Sequence, residues 1–430
     1  MNLKSMSRGA MAAVVSTGMV LGLASCTRDY TASFVYVTSA KSNPGVVTAY
    51  AVDYQSGALT QRGNPVTAGA NPVNAVASPN GLFIYVLNQG DSSVQEFAVA
   101  AGEGELTSKN VYKNAATAPQ SPVAAAIDGS GKFMYVAYTY LSGSSGPGAV
   151  MIYPINADSS LGTPTTVTVG NNPIGIVASG QFCVTSGVST SNPTCTTTAG
   201  TSGYVASFVY VLDQEPAVGT TVSAQGVVLG YSQNASTGVL TPVTGGNAIV
   251  NGVAITNGFR AGVVPSAITE DPTARYVYVT DQSTNQLIGY LVLNGGTLSA
   301  MVNGPFATGL YPVAVTVDPR GEYLYTANRN ADTISAYAIN LQNGTPTATS
   351  GGSGVISLAS PGPTCITIEP ALGIYVYTSN IDGGTVSAAQ LDPHNGGLTL
   401  VQNQPYNTSA NPTCLVSVPN GTHALQAVNP

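Results

Sequence analysis

Two histidines, His394 and His423, are the chain's whole supply of imidazole. A Ser-His-Asp relay needs an imidazole within reach of both a hydroxyl and a carboxylate. His394 falls in an expected hairpin turn and His423 close to the last residue, so both read as solvated loop residues. Zinc asks for clustered Cys and His ligands, and the spacing offers none, so no metal is expected. Calcium asks for several converging oxygens. The acidic stretches that come nearest are Glu270-Asp271 and Asp213-Gln214-Glu215, and Asp271-Pro272 reads as an ordinary turn. No Gly-rich loop joins a strand to a helix, so the phosphate cradle of nucleotide-binding proteins is missing and no cofactor is expected.

Cysteines carry a different message. With Cys26 set aside, four remain, an even number that suits an oxidising compartment. Cys183 and Cys195 flank a Ser/Thr/Asn-rich stretch that a disulfide would staple. Cys365 and Cys414 occupy the same position in successive repeats. A bridge needs their Cα atoms within about 7 Å, and a bridge and two buried thiols both stay open at this stage.

The elements that must position these residues repeat along the chain. Runs such as Phe34-Val35-Tyr36-Val37-Thr38 and Tyr323-Leu324-Tyr325-Thr326 recur around Tyr36, Tyr85, Tyr135, Tyr210, Tyr278, Tyr325 and Tyr377, at spacings of 49, 50, 75, 68, 47 and 52. A period near 50 means a propeller or a solenoid. Each unit holds the Tyr strand, a polar turn, a second strand, a Gly/Asn turn, a more polar third strand, and a fourth strand opening at a proline, as in Pro312-Val313-Ala314-Val315. Two positions after that proline stand Asn74, Ala124, Gly175, Ala267, Ala314, Cys365 and Cys414, none of them large. Small residues suit strands crowded round one axis, so the Pro strand is innermost. The fold expected is an all-β, seven-bladed β-propeller over 34–430, with a C-terminal Pro strand completing the blade begun by the N-terminal Tyr strand. Insertions are expected near 141–148, 180–206, 215–225 and 245–262, and residues 422–428 stay unplaced.

In such a ring the loops entering the inner strands and those following the Tyr strands share one face, and function tends to sit on loops held by a rigid scaffold. Lys41, Asp91, Asp213, Glu215, Arg260, Asp281, Arg329, Asp332 and Asp382 fall there. Each is a ligand candidate, with a solvated turn residue as the plain alternative.

The repeat resembles the seven-bladed lactonase-type propellers, which include bacterial 6-phosphogluconolactonases, and the related Tyr-Val-Thr-Asn repeat proteins; the likeness covers about residues 30–421. It implies a lactone hydrolase of the carboxylic ester class, with Asp281 or Asp332 as base or water-orienting group and Arg329 as electrophilic partner. Family members furnish the central mouth with His, Arg and acidic groups beside the inner strands. The matching positions here hold Val73, Val123, Ile174, Ser266, Val313, Thr364 and Thr413. The other function class is therefore a binding or protein-interaction scaffold, the reading that the residues favour.

Charged residues make up 7% of the 430 positions, far below the roughly 25% usual in soluble domains, while apolar residues reach 43%. Formal net charge is -7, which argues against nucleic acid as a partner. So few ionisable groups also predict a stability that varies little with pH. Residues 1–25 place Lys4 and Arg8 ahead of an apolar stretch too short to span a bilayer, as a signal peptide does. Leu23-Ala24-Ser25-Cys26 resembles the lipobox of bacterial lipoproteins. That resemblance implies cleavage before Cys26, lipidation of its thiol, and a linker over 26–33. With Thr27 in place of Asp, it points to the outer membrane of the cell envelope. The partners expected are the membrane through the anchor and a small molecule or envelope protein, with the chain monomeric.

Overall fold

The computed structural model describes residues 30–40, 43–179, 207–214, 225–250, 253–349 and 354–421, together with the backbone of three strands, Phe182–Thr185, Val188–Thr190 and Tyr204–Ala206. Seven sheets carry the repeat. Six are built in chain order, innermost strand first, as in blade 2: Pro72–Ala77, Phe83–Asn88, Ser93–Val99 and Leu106–Lys113. Blade 1 is composite. Its inner strand is Pro412–Pro419, which pairs antiparallel with Thr31–Ser39, and Val46–Asp53 and Leu59–Thr67 follow outward. The ring is thus closed by the two ends of the chain, as the repeat phase requires. Inner strands of blades 3 to 7 are Gln120–Ile127, Pro173–Ala178, Pro265–Glu270, Pro312–Val317 and Pro363–Ile368.

The first strand starts at Thr31, inside the segment expected to be linker. Ala32 is fully buried and Thr31 nearly so, and that burial extends the strand past the expected boundary at residue 34. Of the insertions, the 180–206 segment contains a small three-stranded sheet of its own, and 245–262 folds into the hairpin Ala248–Val250 with Val253–Ile255 and a strand, Gly258–Arg260, paired onto blade 4. Among the described residues no helix is long and apolar enough to cross a membrane.

The recurring tyrosine has a structural task. In every blade its side chain is fully buried and its hydroxyl donates to a backbone carbonyl in the turn between the two outer strands of the next blade. The pairs are Tyr36 to Gly104, Tyr85 to Ser159, Tyr135 to Gly238, Tyr210 to Gly296, Tyr278 to Gly344, Tyr325 to Gly396 and, across the ring closure, Tyr377 to Gly57, all at 2.6–3.0 Å. Burial in an apolar interface raises the cost of an unmet hydroxyl, so each bond both satisfies the phenol and fixes the register of two blades. The receiving residue has positive φ at all seven turns, and six of the seven are glycine. Glycine answers a second demand there, because a Cβ at Gly57 or Gly396 would run into the ring of Tyr375 or Tyr323.

Turns at the C-terminal ends of the inner strands, on the same face as the clamp turns, are tied by buried acceptors. Asp271 takes the N–H groups of Arg275 and Tyr276, each at 2.7 Å; Asp318 those of Glu322 and Tyr323; Glu369 those of Ala371, Leu372 and Ile374. Asp271-Pro272 is thus the turn that its sequence suggests.

Candidate functional site

The inner strands surround a channel with a cavity of about 320 Å³. Its wall includes the small residues two positions after each inner-strand proline, among them Asn74, Ala124, Gly175 and Ala314. Small side chains are what let seven strands converge. At Gly175 a Cβ would press on Ile268 of the neighbouring blade. The three hydroxyls that follow a proline also lie in this wall, and each bridges to the next blade. Ser266 donates to the Pro312 carbonyl at 2.6 Å, Thr364 to that of Pro412 at 3.4 Å, and Thr413 to that of Pro72 at 2.7 Å. Sequence reasoning had noted these positions only for lacking His and Arg; their hydroxyls stitch the inner ring together.

Cys365 and Cys414 are joined by a disulfide with a Cα–Cα separation of 4.9 Å, which resolves the open alternative. The bridge lies in the channel wall and pins the C-terminal strand, which completes blade 1, to the inner strand of blade 7.

At the channel's entry face the expected acidic candidates divide. Asp213 and Asp281 end their Tyr strands and are each only 1% exposed. Neither is a solvated rim residue. Asp213 accepts the N–H groups of Asn171 and Asn172 at 2.8 Å, and Asp281 those of Val263 at 2.6 Å and Val264 at 3.3 Å. These donors belong to the loops that enter the inner strands, so the carboxylates do the work of Asn88, whose side chain receives Gly69 N–H in blade 2. Burial by itself would raise the Asp281 carboxyl; the hydrogen bonds from Val263, Ser283 and Val264 outweigh it and hold the group below its ordinary value. Asp91 is half-buried and accepts from the Ser93 hydroxyl at 2.8 Å.

Three other candidates come together between blades 6 and 7. Arg329 pairs with Asp382 at 3.6 Å, and Asp332 accepts the N–H of Gly362, the glycine against which the Asp382 carboxylate lies. Asp281 belongs to blade 5 and is engaged with its own loops. Arg260 is exposed on the outer strand of blade 4, where its carbonyl accepts the Tyr290 hydroxyl. His394 is a surface turn residue, 91% exposed and 3.2 Å from Asp392. Lys41, Glu215, Cys26, Cys195, His423 and the Cys183 side chain lie outside the described residues.

One acid of the Glu270-Asp271 doublet has a place in the repeat that the doublet alone does not reveal. Glu270 stands five residues after the blade 5 proline, where the other blades carry Ala77, Ile127, Ala178, Val317, Ile368 and Ser417. Its carboxyl accepts the Ser179 hydroxyl at 2.6 Å, and burial pushes it up to about 8, with Asp271 adding to the rise and Ser179 opposing it. Alignment of the seven repeats could have found it, as an acid in a largely aliphatic column.

Seven interlocked blades around a narrow channel define a closed repeat propeller. Residues 30–181 and 226–368 match the family described as lactonase, 7-bladed beta-propeller, and the chain belongs to that family. Among solved structures it is similar to a candidate 6-phosphogluconolactonase from Bacteroides uniformis, at 16% identity and a TM-score of 0.64 over 90% of this chain and 100% of that one. It is also similar to the periplasmic gluconolactonase PpgL of Pseudomonas aeruginosa, at 15% identity and a TM-score of 0.62 over 90% of this chain and 99% of that one. At such identities the likeness speaks for the fold. No curated protein matches the chain in sequence.

Proposed function

We propose that this chain is a lipid-anchored propeller of the bacterial cell envelope that works as a binding or interaction scaffold. The observation that carries the reading is the employment of the polar groups at the channel and its entry. The carboxylates of Asp213 and Asp281 hold loop backbone, and the hydroxyls of Ser266, Thr364 and Thr413 hold neighbouring blades. A hydrolytic base must be near the substrate with its lone pairs aimed at the reacting water. A carboxylate committed to two or more backbone N–H groups is a brace. The address rests on the lipobox-like Leu23-Ala24-Ser25-Cys26.

A second reading, an exported lactone hydrolase, is favoured by family membership together with the Arg329, Asp332 and Asp382 group at the blade 6–7 entry. There Arg329 would polarise the lactone carbonyl and Asp332 would orient water.

Hydrolysis of a panel of sugar and aliphatic lactones, including 6-phosphogluconolactone, by purified residues 27–430 separates the two. The scaffold reading expects rates equal to those without protein. A higher rate that disappears in an Arg329→Ala/Asp332→Asn variant would establish the hydrolase instead. The anchor is checked in cells by fractionation, with Cys26→Ala expected to move the protein out of the membrane fraction.

A further inference from the structure

Away from the channel, a cavity of about 430 Å³ opens between blades 3 and 4. One wall is the end of blade 3's outer strand and the loop after it, at Val169 and Gly170; another is the third strand of blade 4, at Val227 and Leu229. The remaining wall is the hairpin of the 245–262 insertion, which contributes Val250, Val253 and Ile255. Most of this surface is aliphatic. Val253 is 62% exposed at the lip, and Ile249 on the same hairpin is 48% exposed, so the opening presents apolar side chains to solvent.

The polar part of the lining is small and convergent. Tyr231 and Asn257 stand side by side in the lining, the Asn257 amide donates to the Gly230 carbonyl at 3.2 Å, and Asp213 stands close by. Burial pushes the Tyr231 phenol up to about 12, with Asn257 lowering it and Asp213 raising it, so the hydroxyl stays protonated at physiological pH. A concave, mainly apolar space of a few hundred Å³ with a few fixed polar groups has the build of a small-molecule site. Its sign is set as well, because a buried carboxylate in the wall disfavours an anion in the same low-dielectric space.

We infer that this pocket is a binding site for a small, uncharged, mainly apolar molecule with a single hydrogen-bonding head, which is seated at Tyr231 and Asn257 while its apolar body lies against the hairpin. The inference goes beyond the scaffold reading and does not depend on it, since no residue lines both this pocket and the channel cavity, and Asp213 reaches the pocket as a brace of the entry loop.

Two dyes of one shape test it. N-phenyl-1-naphthylamine is neutral with one N–H; 8-anilinonaphthalene-1-sulfonate is the same body with a sulfonate added. Titrated against purified residues 27–430, the neutral dye is expected to give saturable fluorescence with one site per chain, and the sulfonate to bind at least tenfold more weakly. Val253→Arg, at an exposed lip position, is expected to weaken the neutral dye at least tenfold, whereas Val111→Arg, at an exposed position on blade 2, leaves it unchanged. Tyr231→Phe is expected to weaken it about fivefold, the scale of one neutral hydrogen bond. Binding that does not saturate, equal affinity for the two dyes, or indifference to Val253→Arg in a variant that melts like the parent would each overturn the inference.

Discussion

The two sides of the ring solve different problems. Where blade 7 meets blade 1 the chain closes on itself, and that interface carries the tyrosine clamp from Tyr377 to Gly57, the Thr364 bridge to Pro412 and the Cys365–Cys414 disulfide. Across the ring, blades 3 to 5 carry the long insertions, the blade 3–4 pocket, a clamp received by Ser159 in place of glycine, and the half-buried Glu270 between blades 4 and 5. Redundant fastening thus collects where loss of one strand would open the ring. Departures from the repeat collect where each blade is covalently continuous, a place that can tolerate weaker local packing.

The largest expected effect tests the fastened side. Changing Cys365 and Cys414 together to Ala frees a loop of 49 residues, which the chain-entropy argument values at about 4 kcal/mol. For a chain of this size that is a fall in Tm of about 5 °C by calorimetry. An unchanged Tm would show that the ladder between Thr31–Ser39 and Pro412–Pro419 closes the ring unaided.

On the other side, Glu270 makes stability depend on pH, against the flat profile that a charge-poor composition predicts. Its folded value, about 8, lies above the ordinary 4.5. Between those limits the unfolded chain has lost a proton that the folded chain retains. Stability therefore falls as pH rises from about 4.5 to about 8 and levels off above that, with a slope of at most about 1.4 kcal/mol per pH unit from this group. Glu270→Gln is expected to remove most of the slope in urea titrations across that window. Asp271 and Glu369, also raised by burial, leave a remainder of the same sign. A variant with the parent's full slope would place the titration elsewhere.

The smallest effect concerns one clamp. Ser159 accepts from Tyr85 with φ of 68°, a conformation that glycine reaches without strain. Ser159→Gly is expected to raise stability by about 0.5 kcal/mol, whereas Gly57→Ser at the closure should lower it by more, since its new Cβ meets the Tyr375 ring. Both are read from denaturation midpoints. Equal and opposite changes would mean that the backbone alone, and not the aromatic contact, selects glycine.

How far this was legible in the sequence depends on the range of the interaction. Tyr spacing, the Pro strand and its small residues are periodic, so seven blades and a closure by the two ends could be read directly. The task of the tyrosine could not, because its partner lies in another repeat, 68 residues on for Tyr36 and 320 back for Tyr377. Asp213 and Asp281 were found as candidates by their place after the Tyr strand, yet their role depends on which loop N–H groups fold over them. The blade 3–4 pocket needed the path of an insertion, and an insertion has no repeat from which to infer it.

Blade 1 has a mechanical corollary. Thr31–Ser39 is the second of its four strands, with Pro412–Pro419 laddered on one flank and Val46–Asp53 on the other. A pull applied along this strand from residue 30 loads both ladders in shear, so that many hydrogen bonds share the force at once. An edge strand would instead peel open one bond at a time. Under the anchor proposed at Cys26, such a load from a bound partner would not unravel the propeller from that end.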